Sequence, residues 1–405
     1  MPGSAVATET AWQGKTAPRP EGAVVLGGAL GCLGIARSLG RQGIPVCLLA
    51  NDHRPAKYSR YVRQAPDWPV LATPSLEAEY LTWLAGRHGF EQWALFPGGD
   101  LEAEMIARNH AQLARRFRLT TPPWDVLRWA YDKRLIYWRA ASLGIAQPRS
   151  WNPRSLKEVA EVPGPFPMVL KPAVKNSASA LRKAKVWRVD SRAELLARYA
   201  EADAEMGGGE VLVQEYIPAS GKAQCSYAGL WANGRALVSM TAQCLRQYPT
   251  EFGCASYVRT IEEPEVEEIA GRYLAAIGYT GLVEVEFKRD PRDGRYKMLD
   301  VNPRTWAWHS LGRRAGIDFP FLQWCELSGT EVAYQRARPG VAWVHMTRDL
   351  AGSLQEMLRG RLTPREYFRS LAGPLEFAAF AADDPVPGWM DFPLLVRRAL
   401  ARVAR

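Results

Sequence analysis

The apolar and polar positions between Gly22 and Ala50 follow the order strand, helix, strand. AVVLGG is a short apolar run that ends in glycine, LGCLGIARSLGRQGI has apolar residues at helical spacing, and PVCLLA is again apolar. This order is typical of the start of an open parallel sheet. A helix, a strand and another helix follow, so residues 21–123 are predicted to form an α/β domain.

The pattern changes at Trp124, where helices rich in Trp, Tyr and basic residues begin. The runs beyond them, with a hairpin signal at Asn233-Gly234, predict an α+β region of mainly antiparallel strands. Residues 1–20 are small, polar and Pro-containing, and predict a disordered tail without the apolar segment of a signal peptide. The chain ends in a basic amphipathic helix.

The segment from Gly281 to Arg304 reads as two strands joined by a polar turn. The twofold period of a strand puts Glu284 and Glu286 on one face of the first strand, and Asp300 and Asn302 on one face of the second. Carboxylates, an amide and Arg304 aimed into one space are costly to bury without charged partners. Mg²⁺ carrying a nucleoside triphosphate would supply oxygen-seeking cations for the carboxylates and phosphate oxygens for the arginine.

The chemical residues occur in a defined order: Lys133, Lys171, the run Gln214-Glu215-Tyr216-Ile217, Glu286, Asp300, Asn302 and Arg304. This order resembles the ATP-grasp superfamily of carboxylate–amine ligases. The match runs from about Gly22 to the region around Trp324. The segments EVEFKRDPRDGRYKMLDVNPR and KYSRYV are most similar to those of predicted ATP-grasp carboligases and D-aspartate ligases.

The resemblance implies an architecture. Residues 21–123 would form a Rossmann-like pre-ATP-grasp domain, and residues 124–330 an ATP-grasp fold with ATP between two α+β lobes. The small lobe would cover about 148–216, and the large lobe with the acidic hairpin would extend to residue 330. Residues 331–405 match nothing of the family and are predicted to be a helical extension.

The resemblance also assigns the nucleotide contacts. Lys171, at the end of an apolar strand, and Lys133, at a helix start, would contact phosphates. Both could instead be solvated surface charges. A small-residue loop at Asn176, Ser177 and Ser179 would cover the triphosphate, although an ordinary flexible turn explains it equally well. The remaining cofactor residues form the adenine hinge: Gln214, Glu215, Tyr216 and Ile217, with Glu215 accepting from the adenine amino group and the Ile217 amide donating.

Glu286, Asp300 and Asn302 match the family's ligands for two magnesium ions. Glu284 faces the same way and competes with Glu286 for this role. Arg304 would contact the γ-phosphate and then an acyl phosphate. Arg246 is the third catalytic candidate, as a ligand of phosphate or of the acceptor carboxylate.

The segment after Arg304 carries Trp306, Trp308 and His309, whose aromatic rings could line a substrate pocket. His309 could act as a general base, but a packed and hydrogen-bonded histidine is the more frequent use of this residue.

The reaction implied is ATP-dependent. A carboxylate attacks the γ-phosphate, and a small-molecule amine then attacks the resulting acyl phosphate, which gives an amide, ADP and phosphate. An amino acid or an amino-acid-containing compound is the expected substrate. The alternatives are a phosphotransferase on the same fold without an amine acceptor, and a ligase for cell-wall or lipid-linked precursors.

Composition excludes several other classes. The chain has 52 Lys and Arg residues against 42 Asp and Glu, a net charge of +10, but these residues are dispersed and no nucleic-acid recognition motif is present. The six cysteines form no CxxC pair, which is typical of reduced thiols rather than of disulfides or zinc ligands. No apolar run approaches the ~20 residues of a membrane span. We therefore expect a cytoplasmic protein without a nucleic-acid partner.

Two readings of individual segments stay open at this point. The glycines at 27, 28, 31 and 34 resemble a dinucleotide fingerprint without matching it, and tight turning explains them as well as a cofactor does. The basic C-terminal helix is compatible with weak contact to a membrane surface or with packing on the core. A homodimer is also compatible with the sequence.

Overall fold

The computed structural model describes residues 20–403, apart from 51–54, 67, 70, 72, 175–180, 182–185, 207–208, 219–222 and 251. The predicted serine of the phosphate loop, Ser177, and its neighbours Asn176 and Ser179 lie outside the described residues.

The N-terminal part is a parallel five-stranded sheet of order β3-β2-β1-β4-β5, as the sequence predicted. Its strands are short and apolar, and β1, β2 and β4 are buried along their whole length, as expected for a parallel sheet covered on both faces. Its elements are β1 (Ala23–Leu26), α1 (Leu30–Arg41), β2 (Val46–Leu49), β3 (Val62–Gln64), α2 (Pro74–His88), β4 (Ala94–Pro97), α3 (Asp100–Arg108), α4 (His110–Leu113) and β5 (Arg118–Leu119).

Two helices and a small antiparallel sheet of order β6-β9-β7-β8 come next. The side chain of Asp132 caps the second helix by accepting from the Arg134 amide at 2.9 Å, so this helix begins at Lys133. The elements are α5 (Trp124–Tyr131), α6 (Lys133–Ser142), β6 (Ser150–Trp151), α7 (Leu156–Glu161), β7 (Met168–Pro172), β8 (Trp187–Val189), α8 (Arg192–Met206) and β9 (Val211–Glu215).

An eight-stranded sheet follows, mainly antiparallel, with order β14-β13-β10-β11-β12-β16-β17 and β15 beside β11. The predicted hairpin turn lies at Asn233 and Gly234, both with positive φ. The elements are β10 (Gln224–Ala232), β11 (Arg235–Tyr248), β12 (Cys254–Ile261), α9 (Pro264–Ala276), β13 (Gly281–Arg289), β14 (Tyr296–Asn302), α10 (Ser310–Arg314), α11 (Phe319–Leu327), β15 (Gln335–Arg336), β16 (Ala342–Val344), α12 (Met346–Leu358), α13 (Pro364–Ser370), β17 (Leu375–Phe377) and α14 (Val386–Val403).

The C-terminal region differs from the helical extension that the sequence predicted. It contains three short strands as well as helices, and β16 pairs with β12 while β17 pairs with β16. Strands of two or three residues carry too little periodicity to be recognised in the sequence. None of the helices in the described part of the chain is long and apolar enough to cross a membrane.

The two faces of the large sheet have different roles. On one face, Val283, Val285 and Phe287 pack in a core with Tyr273 of α9. The intervening residues of β13 point to the opposite face, where Leu282 joins a second core and Glu284 and Glu286 follow it. The acidic face of the hairpin therefore begins where the apolar packing ends.

Candidate active site

The register of β13 and β14 brings the acidic hairpin residues together. Glu284 pairs with Asn302 and Glu286 pairs with Asp300, so all four side chains share one face of the sheet. A register shift follows immediately, because Phe287 pairs with Met298 and Leu299 is the extra residue. The twofold pattern read from the sequence thus predicted this face correctly.

Asn302 connects the two glutamates of β13. Its Nδ2 atom donates to Glu286 Oε1 at 2.9 Å and to Glu284 Oε2 at 3.3 Å. Gln224 of β10 donates to the other oxygen of Glu286 at 3.2 Å. Both glutamates are therefore within reach of the predicted metal ligand Asn302, and the contacts do not separate Glu286 from its competitor Glu284.

Lys133 is paired with the predicted metal ligand on the second strand. Its Nζ atom lies 3.0 Å from Asp300 Oδ2, and its side chain is 7% exposed. Its backbone amide donates to the carbonyl of Ala173 at 3.0 Å, which ties the start of α6 to the segment after β7. Lys133 is thus a buried lysine at the hairpin and not a solvated helix charge.

Lys171 lies on β7 within the same electrostatic environment. Burial, and then the charge of Lys133, lowers the pKa of the Lys171 ammonium to about 8, while Asp300 and Glu286 act in the opposite direction. Ala173, two residues after Lys171, accepts from the Lys133 amide at 3.0 Å, so Lys171 lies near the start of α6.

Arg304 makes a contact that the sequence did not predict. Its Nη2 atom donates to Asp100 Oδ2 at 2.9 Å and to Asn302 Oδ1 at 3.2 Å. Burial lowers the pKa of the guanidinium, but the charges of Asp100, Glu284 and Asp300 outweigh it and raise the pKa above its ordinary value. Asp100 is the first residue of α3 and follows Gly98-Gly99 at the carboxyl end of a parallel strand. Ligand-binding residues often occupy this position in an open parallel sheet, so the sequence did carry a signal for Asp100.

The oxygen donors of this face fit a hard cation such as Mg²⁺. Glu286, Asp300 and Asn302 could hold it, with Glu284 beside them. No preassembled group of three His, Cys, Asp or Glu residues with metal-binding geometry occurs within the described ranges. In this structure the amide of Asn302 lies between the two glutamates, and the ammonium of Lys133 lies on Asp300.

The predicted adenine hinge lies at the end of β9. Gln214 is buried and donates through Nε2 to Ser150 Oγ at 2.8 Å. Arg188 lies 5.0 Å from the centre of the Tyr216 ring, and Lys288 Nζ lies 3.0 Å from the carbonyl oxygen of Ile217. The adenine contacts of these residues stay predictions.

The carboxylate of Glu215 is engaged by groups of the protein itself. It accepts from the Arg149 amide at 3.0 Å, from Arg292 at 3.2 Å and from Lys297 at 3.3 Å. Burial raises its pKa, but the Arg149 amide, Lys297 and Arg292 together lower the pKa below the ordinary value. These contacts fix the orientation of the Glu215 carboxylate, and its contact with an adenine amino group stays a prediction.

Arg246 has partners away from the acidic face. Its guanidinium forms a two-point ion pair with Asp349, at 2.9 and 2.8 Å, and stacks over Tyr257 at 4.1 Å. It also donates to Ser370 Oγ at 2.8 Å. Asp349 is fully buried. These contacts give Arg246 a packing role in the C-terminal region and do not support the predicted phosphate contact.

Trp306, Trp308 and His309 are core residues rather than pocket-lining ones. Trp306 packs edge-on against Phe319 at 5.1 Å, and both tryptophans belong to the core beside α10 and α11. His309 is 1% exposed, and its Nε2 atom lies 2.8 Å from the carbonyl oxygen of Gly31. The packed interpretation of His309 is therefore the one that its contacts support.

Gly34 of α1 is explained by this packing, because a Cβ atom there would lie 2.6 Å from His309 Nε2. A Cβ atom on Gly31 would make an ordinary contact, 3.5 Å from the Trp306 carbonyl oxygen.

Comparisons with known proteins found a curated relative and several solved structures with a similar fold. No family model matches the chain. The D-aspartate ligase of Enterococcus faecium (strain Aus0004) is 24% identical over an alignment of 301 residues, and the match covers 69% of this chain and 70% of that protein. The biotin carboxylase domain of Hydrogenobacter thermophilus 2-oxoglutarate carboxylase, solved with MgADP and bicarbonate, has a TM-score of 0.63 at 18% identity and covers 79% of this chain and 73% of its own. For the L-amino acid ligase of Bacillus licheniformis the TM-score is 0.59 at 16% identity, with 77% and 75% covered.

Proposed function

We propose that this chain is an ATP-grasp carboxylate–amine ligase that joins an amino acid or an amino-acid-containing substrate through an acyl phosphate. The observation that carries the proposal is the shared face of Glu284, Glu286, Asp300 and Asn302, with lysines and Arg304 beside it. Cations and oxygen ligands assembled in this way suit the transfer of a phosphoryl group from a nucleotide.

The proposed reaction has two steps. A carboxylate oxygen of the first substrate attacks the γ-phosphorus of ATP, the bond to the β-phosphate oxygen breaks, and ADP leaves. The amine nitrogen of the second substrate then attacks the acyl carbon, the bond to phosphate oxygen breaks, and the amide forms with loss of one proton. Neither step needs a side-chain nucleophile, which agrees with the lack of a Ser-His-Asp or Cys-His pattern in the sequence.

The residues of the site have separate tasks in this reaction. Lys133 and Lys171 would neutralise phosphate oxygens. Arg304 would contact the transferred phosphoryl group, first as the γ-phosphate of ATP and then in the acyl phosphate. Glu286, Asp300 and Asn302 would hold Mg²⁺, for which we propose two ions; bound magnesium supplies charge neutralisation and in-line orientation of the phosphates.

Two comparisons support an amino-acid substrate. The relatives named D-aspartate ligase and L-amino acid ligase both carry an amino acid in their names. Each is distant from this chain, so the acid and the amine have to be found by experiment.

A coupled assay of ADP release tests the proposal. Amino acids and cell-wall precursors are screened as acid and as amine with Mg-ATP, and the product is identified by mass. We expect ADP, phosphate and the amide to form in equal amounts. Turnover should be lost in Lys171→Ala and Glu286→Ala. It should be kept in the control Lys157→Ala, which changes an exposed lysine. ADP formed at full rate without any amine, together with a stable phosphorylated product, would contradict the ligase and indicate a phosphotransferase.

A further inference from the structure

Asp100 connects the N-terminal sheet with the predicted phosphate-binding arginine. It lies directly after β4 and Gly98-Gly99, and its Oδ2 atom is 2.9 Å from Nη2 of Arg304, 204 residues further along the chain. Both side chains are mostly buried, at 17% and 19% exposure. The pair is therefore a shielded contact between two parts of the fold and not a surface ion pair.

The backbone holds Asp100 firmly in place. A Cβ atom on Gly98 would lie 2.1 Å from the carbonyl oxygen of Leu26, so the turn after β4 is pressed against the end of β1. From Asp100 onward the chain is helical, and the Ala103 amide donates to the Gly99 carbonyl at 3.1 Å. A carboxylate on such a support can fix the orientation of another side chain.

The contacts of Arg304 define the plane of its guanidinium group. Nη2 donates to Asp100 and Asn302, and Nη1 donates to the carbonyl oxygen of Thr305 at 3.1 Å. A guanidinium has five N–H groups, so these three contacts leave two for other oxygen atoms. Asp100 accepts one of these hydrogen bonds and forms an ion pair with Arg304.

We infer that Asp100 is a positioning residue for Arg304. It holds the guanidinium in the orientation from which the remaining N–H groups meet the γ-phosphate and then the acyl phosphate. The inference rests on the proposed function for the identity of these phosphates. It assigns to the N-terminal sheet a part in phosphate handling that is independent of substrate choice.

The test compares two nucleotides that differ in the γ-phosphate. Binding of MgADP and of a non-hydrolysable Mg-ATP analogue is measured by calorimetry in the wild type, Asp100→Ala, Asp100→Asn and Asp100→Glu. We expect Asp100→Ala to lower the preference for the ATP analogue over ADP by about tenfold, because a disordered Arg304 loses its γ-phosphate contact. Asp100→Asn should lower this preference less than Asp100→Ala does, since it keeps a hydrogen-bond acceptor. Asp100→Glu keeps the charge and should retain part of the wild-type preference.

The control and the contrary outcomes separate this role from simple structural damage. Glu91→Gln removes a carboxylate from the exposed pair with Arg116, which lies in the turns before β4 and β5, and should leave the preference unchanged. An equal loss of affinity for both nucleotides in the Asp100 variants would mean that Asp100 has a merely structural role. A stronger preference for the ATP analogue would mean that Asp100 competes with phosphate. An unchanged preference would equally overturn the inference.

Turnover gives a second measurement that keeps the two proposals apart. If the wild type ligates, Asp100→Asn should lower kcat by about tenfold with little change in the KM for ATP. A wild type that prefers the ATP analogue but joins no acid to any amine contradicts the proposed function alone, and the nucleotide preference then decides the role of Asp100.

Discussion

The Nζ atom of Lys133 lies 3.0 Å from Oδ2 of Asp300, and this pair joins the first residue of α6 to β14. One partner is a predicted phosphate ligand and the other is a predicted magnesium ligand. Each thus compensates for the burial of the other, which lets both charges stay in a site that excludes most water.

The charge of Asp300 should be essential for magnesium-dependent turnover. Asp300→Asn keeps the size of the side chain and an oxygen for Lys133, but removes the anion that Mg²⁺ requires. We expect ADP release to fall by about 100-fold or more and the magnesium concentration for half-saturation to rise. Both are measured in a magnesium titration of the coupled assay.

Asp293→Asn is the matched control for this change, because Asp293 lies in the exposed turn of the same hairpin. It should behave as the wild type. If Asp300→Asn kept the wild-type dependence on magnesium, Asp300 would not be a ligand.

Nucleotide affinity should weaken in alkaline solution because of Lys171. Burial and the neighbouring Lys133 lower the pKa of this ammonium to about 8, so it loses its proton as the pH rises through that value. Binding of phosphate then requires uptake of a proton, and the affinity for Mg-ATP should fall by about tenfold for each pH unit above 8. Calorimetry between pH 7 and 9.5, in buffers of different ionisation enthalpy, measures both the affinity and the proton uptake.

Lys171→Met should bind Mg-ATP weakly and lack this component of the pH dependence. Lys157→Met changes an exposed lysine and should keep the wild-type profile. An identical alkaline profile in Lys171→Met and the wild type would assign the proton uptake to another group.

Arg246 and Asp349 should matter for stability more than for catalysis. Removing one partner leaves a buried charge alone, so Arg246→Ala and Asp349→Ala should each lower the free energy of unfolding by about 3–5 kcal/mol. The double variant should lose less than the sum, because neither charge is then left behind. Urea unfolding of the four proteins measures this coupling.

Arg198→Ala breaks an exposed pair and should change the free energy of unfolding by about 0.5 kcal/mol or less. The sequence-based prediction of a catalytic Arg246 would gain support from one specific result. That result is an Arg246→Ala protein with wild-type stability and no ADP release.

His309 should make the fold sensitive to acid. Burial lowers the pKa of its imidazole to about 4, whereas an unfolded chain has the ordinary value near 6.5. The contribution of the neutral, buried His309 to the free energy of unfolding is fully present above the pKa of the unfolded chain. As the pH falls from 6.5 to 4, the unfolded state takes up the proton first, and the free energy of unfolding should drop by about 3 kcal/mol.

His309→Gln retains an N–H group for the Gly31 carbonyl and removes the titration. Its unfolding free energy should depend less on pH over this range than that of the wild type. His88→Gln, at an exposed position, should follow the wild type. Parallel pH profiles for His309→Gln and the wild type would show that His309 is not the source of the acid sensitivity.

Local patterns predicted the parts of the structure that depend on neighbouring residues. The β1–α1–β2 unit follows from apolar spacing, and the face shared by Glu284 and Glu286 follows from the twofold period of β13. Contacts between distant segments leave no such trace. The partner of Arg304 is Asp100, 204 residues away, and the partners of Glu215 on β14 and its turn lie 77 and 82 residues away.

The aromatic residues that follow Arg304 were predicted to line a substrate pocket, and that prediction failed for a physical reason. Trp306 and Trp308 directly follow the acidic hairpin and have the composition of a ligand pocket, yet they fill the space beside Phe319. Large aromatic side chains serve cores and pockets equally well, so composition alone does not separate the two uses.

The absent side chain of Gly34 has a mechanical consequence. It lets α1 lie directly on His309, and this contact and the pair of Asp100 and Arg304 both join the N-terminal sheet to the large one. The small sheet β6-β9-β7-β8 instead has a hydrophobic core of its own with α7 and α8. If the chain binds nucleotide as proposed, we expect the small sheet to move relative to the other two when nucleotide enters and product leaves.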